Sequence, residues 1–223
     1  MGEKRIKAVI FDYDGTLIDS SVFVEALAAT IKVLGLTPLS KERLEKIAKL
    51  PFDEYLPLIT PPEMRGDEKF VEGFIREYRR IYGNLNLKHV KPFQGVPLLL
   101  RKLSTGGFLL GVATGRKITM EHVEEELRHL GLRGFINELV TFIDLKGSKI
   151  DLIAECMKRL NVRGEECIVV GDSPEDIEAG KRLRAKTIGA VYGFYGRGLI
   201  DAHPDFIAYK PLDILNICRK LRT

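Results

Sequence analysis

Two carboxylates stand two residues apart in Asp12-Tyr13-Asp14-Gly15-Thr16, directly after the apolar run Ala8-Val9-Ile10-Phe11. One carboxylate behind a strand can serve as a turn former or helix cap. Two of them, followed by Gly and Thr, concentrate negative charge where the backbone leaves a sheet, and that invites a cation. Further on, Leu110-Gly111-Val112-Ala113 runs into Thr114-Gly115-Arg116, and Ile168-Val169-Val170-Gly171 runs into Asp172, with Asp176 one helical turn later. Open parallel sheets bind ligands beyond the carboxyl ends of their strands, so these three ends read together as a metal-and-phosphate site. Hard oxygen donors with open water positions suit Mg²⁺, whereas a transition metal would favour His or Cys. His89, His122, His129 and His203 fall on helical or loop positions away from the strand ends and read as solvated surface groups.

Lys149 is the next candidate. Ser148-Lys149-Ile150-Asp151 has the spacing of a capping box, which puts Lys149 in the first turn of a helix facing the carboxyl edge of the sheet. A positive side chain there opposes the helix dipole, so an anionic partner is expected. Lys146 competes for the same role, and the spacing leaves the choice open. Plainer readings stand beside the chemical ones. Asp176 lies three residues after Ser173 with Pro174 between, which suits a capping box as well as a metal ligand. Arg116 and Lys117 read equally as phosphate ligands or as exposed residues at a helix start. Gly193-Phe194-Tyr195-Gly196-Arg197-Gly198 departs from G-x-G-x-x-G and reads as a turn-rich connection. Arg76, Arg79 and Arg80 read as a solvated helix face.

The elements that must hold these residues follow from hydrophobic spacing. Between about Ser20 and Gly83 the period is helical throughout: Phe23 to Leu34, Leu44 to Ala48, and Phe70 to Tyr82, with Pro51, Pro57, Pro61 and Pro62 as breaks. After Pro92 the pattern alternates strands with helices. Strands are expected near 108–113, 139–143, 167–170, 187–191 and 206–208. Helices are expected over 121–130 and 148–160, after Ser173-Pro174 and from Leu212. Short strands apolar on both faces, alternating with helices, predict an α/β fold, a doubly wound parallel sheet into which the helical segment is inserted. The core then takes residues 1–18 and 91–223, and the all-helical domain residues 19–90.

Asp12-x-Asp14-Gly15-Thr16, Thr114-Gly115, Lys149 and Gly171-Asp172-x-x-x-Asp176, in that order, closely resemble the motifs of the haloacid dehalogenase-like hydrolase superfamily. The resemblance covers nearly the whole chain, because the helical segment resembles the family's small cap, placed between its first and second motifs. It implies a Rossmann-like core and a phosphatase. Asp12 would attack phosphorus and become an aspartyl phosphate, and Asp14 would protonate the leaving alcohol and then activate water. It also implies Mg²⁺ held by Asp12, the Asp14 carbonyl and Asp172, with Asp176 close or through water. Thr114, Gly115 and Lys149 would receive the phosphoryl oxygens. Tyr13, between the two acids, is expected to gate substrate size. Asp14 argues against the dehalogenase branch, which lacks that second acid. A phosphomutase, a phosphonate-cleaving enzyme and a non-catalytic module on the same scaffold are the alternatives.

Composition sets the outer bounds. The 223 residues, 45% hydrophobic and 30% charged, suffice for one sizeable core with a small accessory domain. Cys156, Cys167 and Cys218 have no CxxC spacing and read as reduced core thiols. Acidic residues are interspersed throughout, Glu124-Glu125-Glu126 most densely, so a net charge of +4 is weak evidence for nucleic-acid binding and compatible with an anionic small substrate, which the resemblance implies is a phosphorylated one. The first apolar run is too short for a signal peptide and no stretch reaches membrane-spanning length, so a cytoplasmic protein without a membrane partner is expected.

Overall fold

The computed structural model describes residues 5–19, 21–47, 50, 52–84, 90–116 and 118–222. The chain divides into two compact units, Met1–Asp19 with Lys91–Thr223, and Ser20–Val90.

The first unit is built on a six-stranded sheet. In chain order its strands are β1 (Ala8–Phe11), then, after the two short strands β2 (Ile18–Asp19) and β3 (Lys91–Pro92), β4 (Leu109–Thr114), β5 (Glu138–Thr141), β6 (Cys167–Gly171), β7 (Lys186–Ala190) and β8 (Phe206–Ala208). The spatial order is β5-β4-β1-β6-β7-β8, with every neighbouring pair parallel. From β1 the chain winds outward through β4 and β5, then returns to β6 on the other side of β1. The direction of winding reverses there, and open α/β sheets form their binding crevice at such a reversal. Ile18 and Asp19 pair antiparallel with Pro92 and Lys91, so the chain leaves for the second unit and returns from it side by side.

Both faces of the sheet are covered, which is why all four residues of β1 are buried. Ala8 and Ile10 point to one face and pack with Ala113, Val169 and the apolar side of a helix bearing Leu152, Ile153, Cys156 and Met157. Val9 and Phe11 point to the opposite face by strand alternation. Cys156, Cys167 and Cys218 are buried free thiols, and burial pushes each up to about 12, so they act as small apolar side chains.

Helices of the second unit come first in the chain: α1 (Ser21–Val33), α2 (Lys41–Ile47), α3 (Phe52–Ile59) and α4 (Glu68–Asn84). Phe74, Tyr78 and Tyr82 recur every four residues on α4 and are buried. The Phe23 ring lies 5.8 Å from that of Tyr78 and 6.3 Å from that of Tyr55. Such aromatic pairs add about 0.5–1.5 kcal/mol each beyond the area they bury. Pro57 is expected as a break but lies inside α3. It removes one backbone donor from a short helix whose Tyr55, Leu56 and Ile59 are buried, and that burial outweighs the lost bond.

The helices of the sheet unit are α5 (Val96–Thr105), α6 (Met120–His129), α7 (Phe142–Leu145), α8 (Lys149–Arg159), α9 (Pro174–Arg182) and α10 (Pro211–Arg222). β5 stops at Thr141, short of the expected Ile143, because its neighbour β4 ends opposite it at Thr114. The next residues turn into α7 and bring Lys149 back toward the sheet. Among the described residues no helix is long and apolar enough to cross a membrane.

Candidate active site

Pairing with β4 on one side and β6 on the other places the ends of three strands next to one another. The Asp12 N–H donates to Val170 O at 2.9 Å, which carries the sheet hydrogen bonding one residue past β1 and fixes where the carboxylate emerges. Gly15 then adopts φ 75°, a left-handed conformation that favours glycine. A Cβ there would also overlap the Asp172 carboxylate, and a Cβ on Gly193 would overlap both Gly15 O and Asp172. These two glycines allow backbone to close around Asp172.

Asp172 is 3% exposed. Its Oδ2 accepts from the Phe194 N–H at 2.8 Å and its Oδ1 from the Thr16 hydroxyl at 3.3 Å. Asp176 divides its two oxygens. Oδ2 accepts from the Ser173 N–H at 3.2 Å and the Ser173 hydroxyl at 2.6 Å, completing a capping box on α9, while Oδ1 lies 2.9 Å from Lys149 Nζ. On α8 the same device recurs: Asp151 Oδ2 accepts from the Ser148 N–H at 2.8 Å and its hydroxyl at 2.6 Å. That cap sets the helix start so that Lys149 Nζ reaches Asp12 Oδ1 at 2.5 Å. Lys146 is exposed, with φ 51°, and the structure brings only Lys149 to the acids.

Asp12, Asp172 and Asp176 each offer an oxygen within 4.8 Å of the others, forming a group that can hold a metal ion. Burial raises the Asp12 carboxyl from 3.8 to about 7; Lys149 is the main opposing charge and Asp176 adds to the rise. Burial, then the charges of Asp12 and Asp176, push Asp172 well above the ordinary carboxylate range. For Lys149 burial acts downward, but Asp12 and Asp176 outweigh it and hold the ammonium charged. Three carboxylates thus compete for one cation. An oxygen-only donor set with excess negative charge fits a hard divalent metal.

Thr114, 1% exposed, closes β4 and accepts from the Arg116 N–H at 3.2 Å. Gly115 is exposed, with nothing within 4 Å of where a Cβ would stand. Asp14 turns to a different partner. Arg116 Nε donates to Asp14 Oδ2 at 2.7 Å and Nη2 donates to Oδ1 at 2.6 Å. The remaining Nη1 donates to Glu126 Oε2 at 2.6 Å, and Tyr13 OH donates to the same oxygen at 3.1 Å.

This network corrects several expectations. Tyr13 is fully buried with its hydroxyl on Glu126, a placement that speaks against the expected position at an entrance. Arg116 is 8% exposed, neither a solvated side chain nor a loose phosphate ligand. Lys117 and His89 lie outside the described residues. His129 and His203 are exposed, but His122 is not a solvated group: its Nε2 lies 3.4 Å from Glu126 Oε1. The Gly193–Gly198 segment is more than a connection, since its first two residues grip Asp172. Glu126 was legible in part, because helical spacing puts it on the same face as Val123 and Leu127, where a carboxylate needs a partner.

The family model for haloacid dehalogenase-like hydrolases matches residues 9–190, from within β1, just ahead of Asp12, to the end of β7. The chain belongs to that family. It is a hydrolase of that family. A phosphoglycolate phosphatase of Aquifex aeolicus is 30% identical to it over 95% of this chain and 96% of that protein. A pyrophosphatase PpaX of Bacillus velezensis is 29% identical over 97% and 98%. A haloacid dehalogenase-like hydrolase from Streptococcus pneumoniae superposes with a TM-score of 0.83 over 95% of this chain and 98% of its own, and at 22% identity that likeness speaks for the fold alone.

Proposed function

We propose that the protein is a Mg²⁺-dependent phosphatase that hydrolyses a small phosphorylated metabolite through an aspartyl phosphate. The observation that carries this reading is the three-carboxylate group of Asp12, Asp172 and Asp176 sharing the single Lys149 ammonium at the central strand ends. Asp12, Asp172 and the Asp14 carbonyl would hold the Mg²⁺, with Asp176 beside them, and the ion would supply the charge that lets an anionic nucleophile meet an anionic phosphate.

In the first step an Asp12 carboxylate oxygen attacks phosphorus and the bond to the leaving oxygen breaks, while Asp14 gives that oxygen its proton. In the second, Asp14 takes a proton from water, the resulting hydroxide attacks phosphorus, and the bond to Asp12 breaks to release inorganic phosphate. Lys149, Thr114 and the Gly115 backbone N–H hold the phosphoryl oxygens as charge develops on them. The helical unit Ser20–Val90 is the cap that selects substrate. The names of the Aquifex and Bacillus relatives favour a small, strongly anionic phosphate compound.

The test is hydrolysis of p-nitrophenyl phosphate with Mg²⁺. Activity abolished by EDTA and by Asp12→Asn supports the proposal. Undiminished activity in Asp12→Asn removes the nucleophile assignment.

A further inference from the structure

We propose that Arg116 is a positioning residue for Asp14, held in place by Glu126 so that its guanidinium aims the Asp14 carboxyl at the leaving-group oxygen. The inference rests on the reading of Asp14 as proton carrier given above.

The geometry is that of a two-sided clamp. On one side Nε and Nη2 meet both Asp14 oxygens at 2.7 and 2.6 Å, a fork-to-fork pair that fixes the direction of the carboxylate plane. On the other, Nη1 is anchored 2.6 Å from Glu126, a carboxylate with no exposed surface. Tyr13 braces both halves, with its hydroxyl on Glu126 and its ring centroid 4.9 Å from the Arg116 guanidinium carbon. His122 Nε2 faces the other Glu126 oxygen at 3.4 Å. The Arg116 side chain is 5% exposed and the Asp14 side chain 24%. The clamp is therefore buried, while the carboxyl it holds still reaches solvent.

The fork holds both oxygens in one plane, and the carboxyl acts there by delivering a proton to a leaving oxygen or accepting one from water. Position matters greatly here, because displacement of a reacting group by about 1 Å can cost about 100-fold in rate. Lysine cannot substitute for the guanidinium, since a single ammonium cannot direct both oxygens at once. A merely structural ion bridge would stabilise the fold and leave all substrates affected alike. A clamp acting through the proton carrier affects most the substrates that need a proton to depart.

The experiment measures kcat/KM with Mg²⁺ for alkyl phosphates, whose alkoxide leaving groups need protonation, and for p-nitrophenyl phosphate, whose leaving group does not. Arg116→Ala removes the guanidinium from which Glu126 accepts, so Arg116→Lys, which keeps a cation there, is measured beside it. Both variants are expected to lose about 100-fold on alkyl phosphates, the scale of general acid catalysis, and less than about 10-fold on p-nitrophenyl phosphate. Millimolar guanidinium is expected to restore part of the alkyl phosphate activity of Arg116→Ala. The double variant Asp14→Asn/Arg116→Lys is expected to be no slower than Asp14→Asn alone, since the two residues act as one unit. An equal loss on both classes of ester, or a further loss on top of Asp14→Asn, overturns the assignment. If Asp14→Asn itself treats both classes alike, the proton-carrier reading falls and takes the role of Arg116 with it. If Asp14→Asn separates them and Arg116→Lys does not, only the role of Arg116 is overturned.

Discussion

Lys149 Nζ stands 2.5 Å from Asp12 Oδ1, joining the first turn of α8 to the end of the central strand across 137 residues of chain. One ammonium is thereby set among three acids that it cannot neutralise alone. In the proposed mechanism, removing it takes a phosphate-binding charge from the site but also leaves the acids more attractive to a metal. Lys149→Ala is expected to lower kcat/KM by about 100-fold or more, on the scale seen when one donor to a developing oxyanion is lost. The Mg²⁺ concentration giving half activity should not rise. Metal titrations of both proteins check the two statements together.

Stability should depend on pH in a direction that metal reverses. Asp12 titrates at about 7 in the folded protein against 3.8 ordinarily, and Asp172 is raised as well. Between those values the folded state binds more protons than the unfolded one, so the metal-free protein loses stability as pH rises from about 4 to 7. A bound cation favours the ionised carboxylates and offsets that loss. The Mg²⁺-induced rise in Tm should be larger at pH 8 than at pH 5, by at least about 3 °C, roughly 1 kcal/mol for a chain of this size. Thermal denaturation with EDTA or MgCl₂ at both pH values decides it.

Asp176 serves the α9 cap through Oδ2 and faces Lys149 through Oδ1, and two substitutions separate those duties. Ser173→Ala removes the cap partner and should cost about 1 kcal/mol of stability with the Mg²⁺ requirement little changed. Asp176→Asn should raise the Mg²⁺ concentration for half activity by about 10-fold. Equal requirements in both variants would leave Asp176 with the cap alone.

Gly193 is pressed against Gly15 O and the Asp172 side chain, neither of which can move aside without opening the acid group. Gly193→Ala is expected to destabilise by about 1–3 kcal/mol, as overpacking does, and to reduce activity more than Gly198→Ala, where nothing lies within 4 Å of an added Cβ. Denaturant unfolding and steady-state rates on the two variants provide the comparison.

Tyr13→Phe removes only the hydroxyl that donates to buried Glu126. A hydrogen bond to a charged group is worth about 1.5–3 kcal/mol, so stability should fall by about that amount. The ranking of substrates by kcat/KM should stay as it is. A changed ranking would restore the gating role that burial speaks against.

Much of the arrangement is written locally. The apolar runs ending at Asp12, Thr114 and Asp172 are strands because they are short and apolar on both faces, and the change of period after Pro92 separates helical from alternating segments. Ser148-x-x-Asp151 and Ser173-x-x-Asp176 set helix starts within four residues, so their caps were legible before any tertiary contact. The order of the acids, threonine and lysine therefore pointed to the family from the chain alone. What only the tertiary structure decided were contacts between groups far apart in the chain. Lys149 over Lys146 depends on where α8 docks. The pairing of Asp14 with Arg116 spans 102 residues, and that of Asp172 with the Phe194 N–H spans 22. Tyr13 shows the difference most plainly. Its place between two catalytic-looking acids suggests exposure, but strand alternation and the approach of α6 turn it inward to Glu126. Backbone period and capping are local properties and can be read from spacing; the partner of a side chain is set by which elements the sheet order brings together.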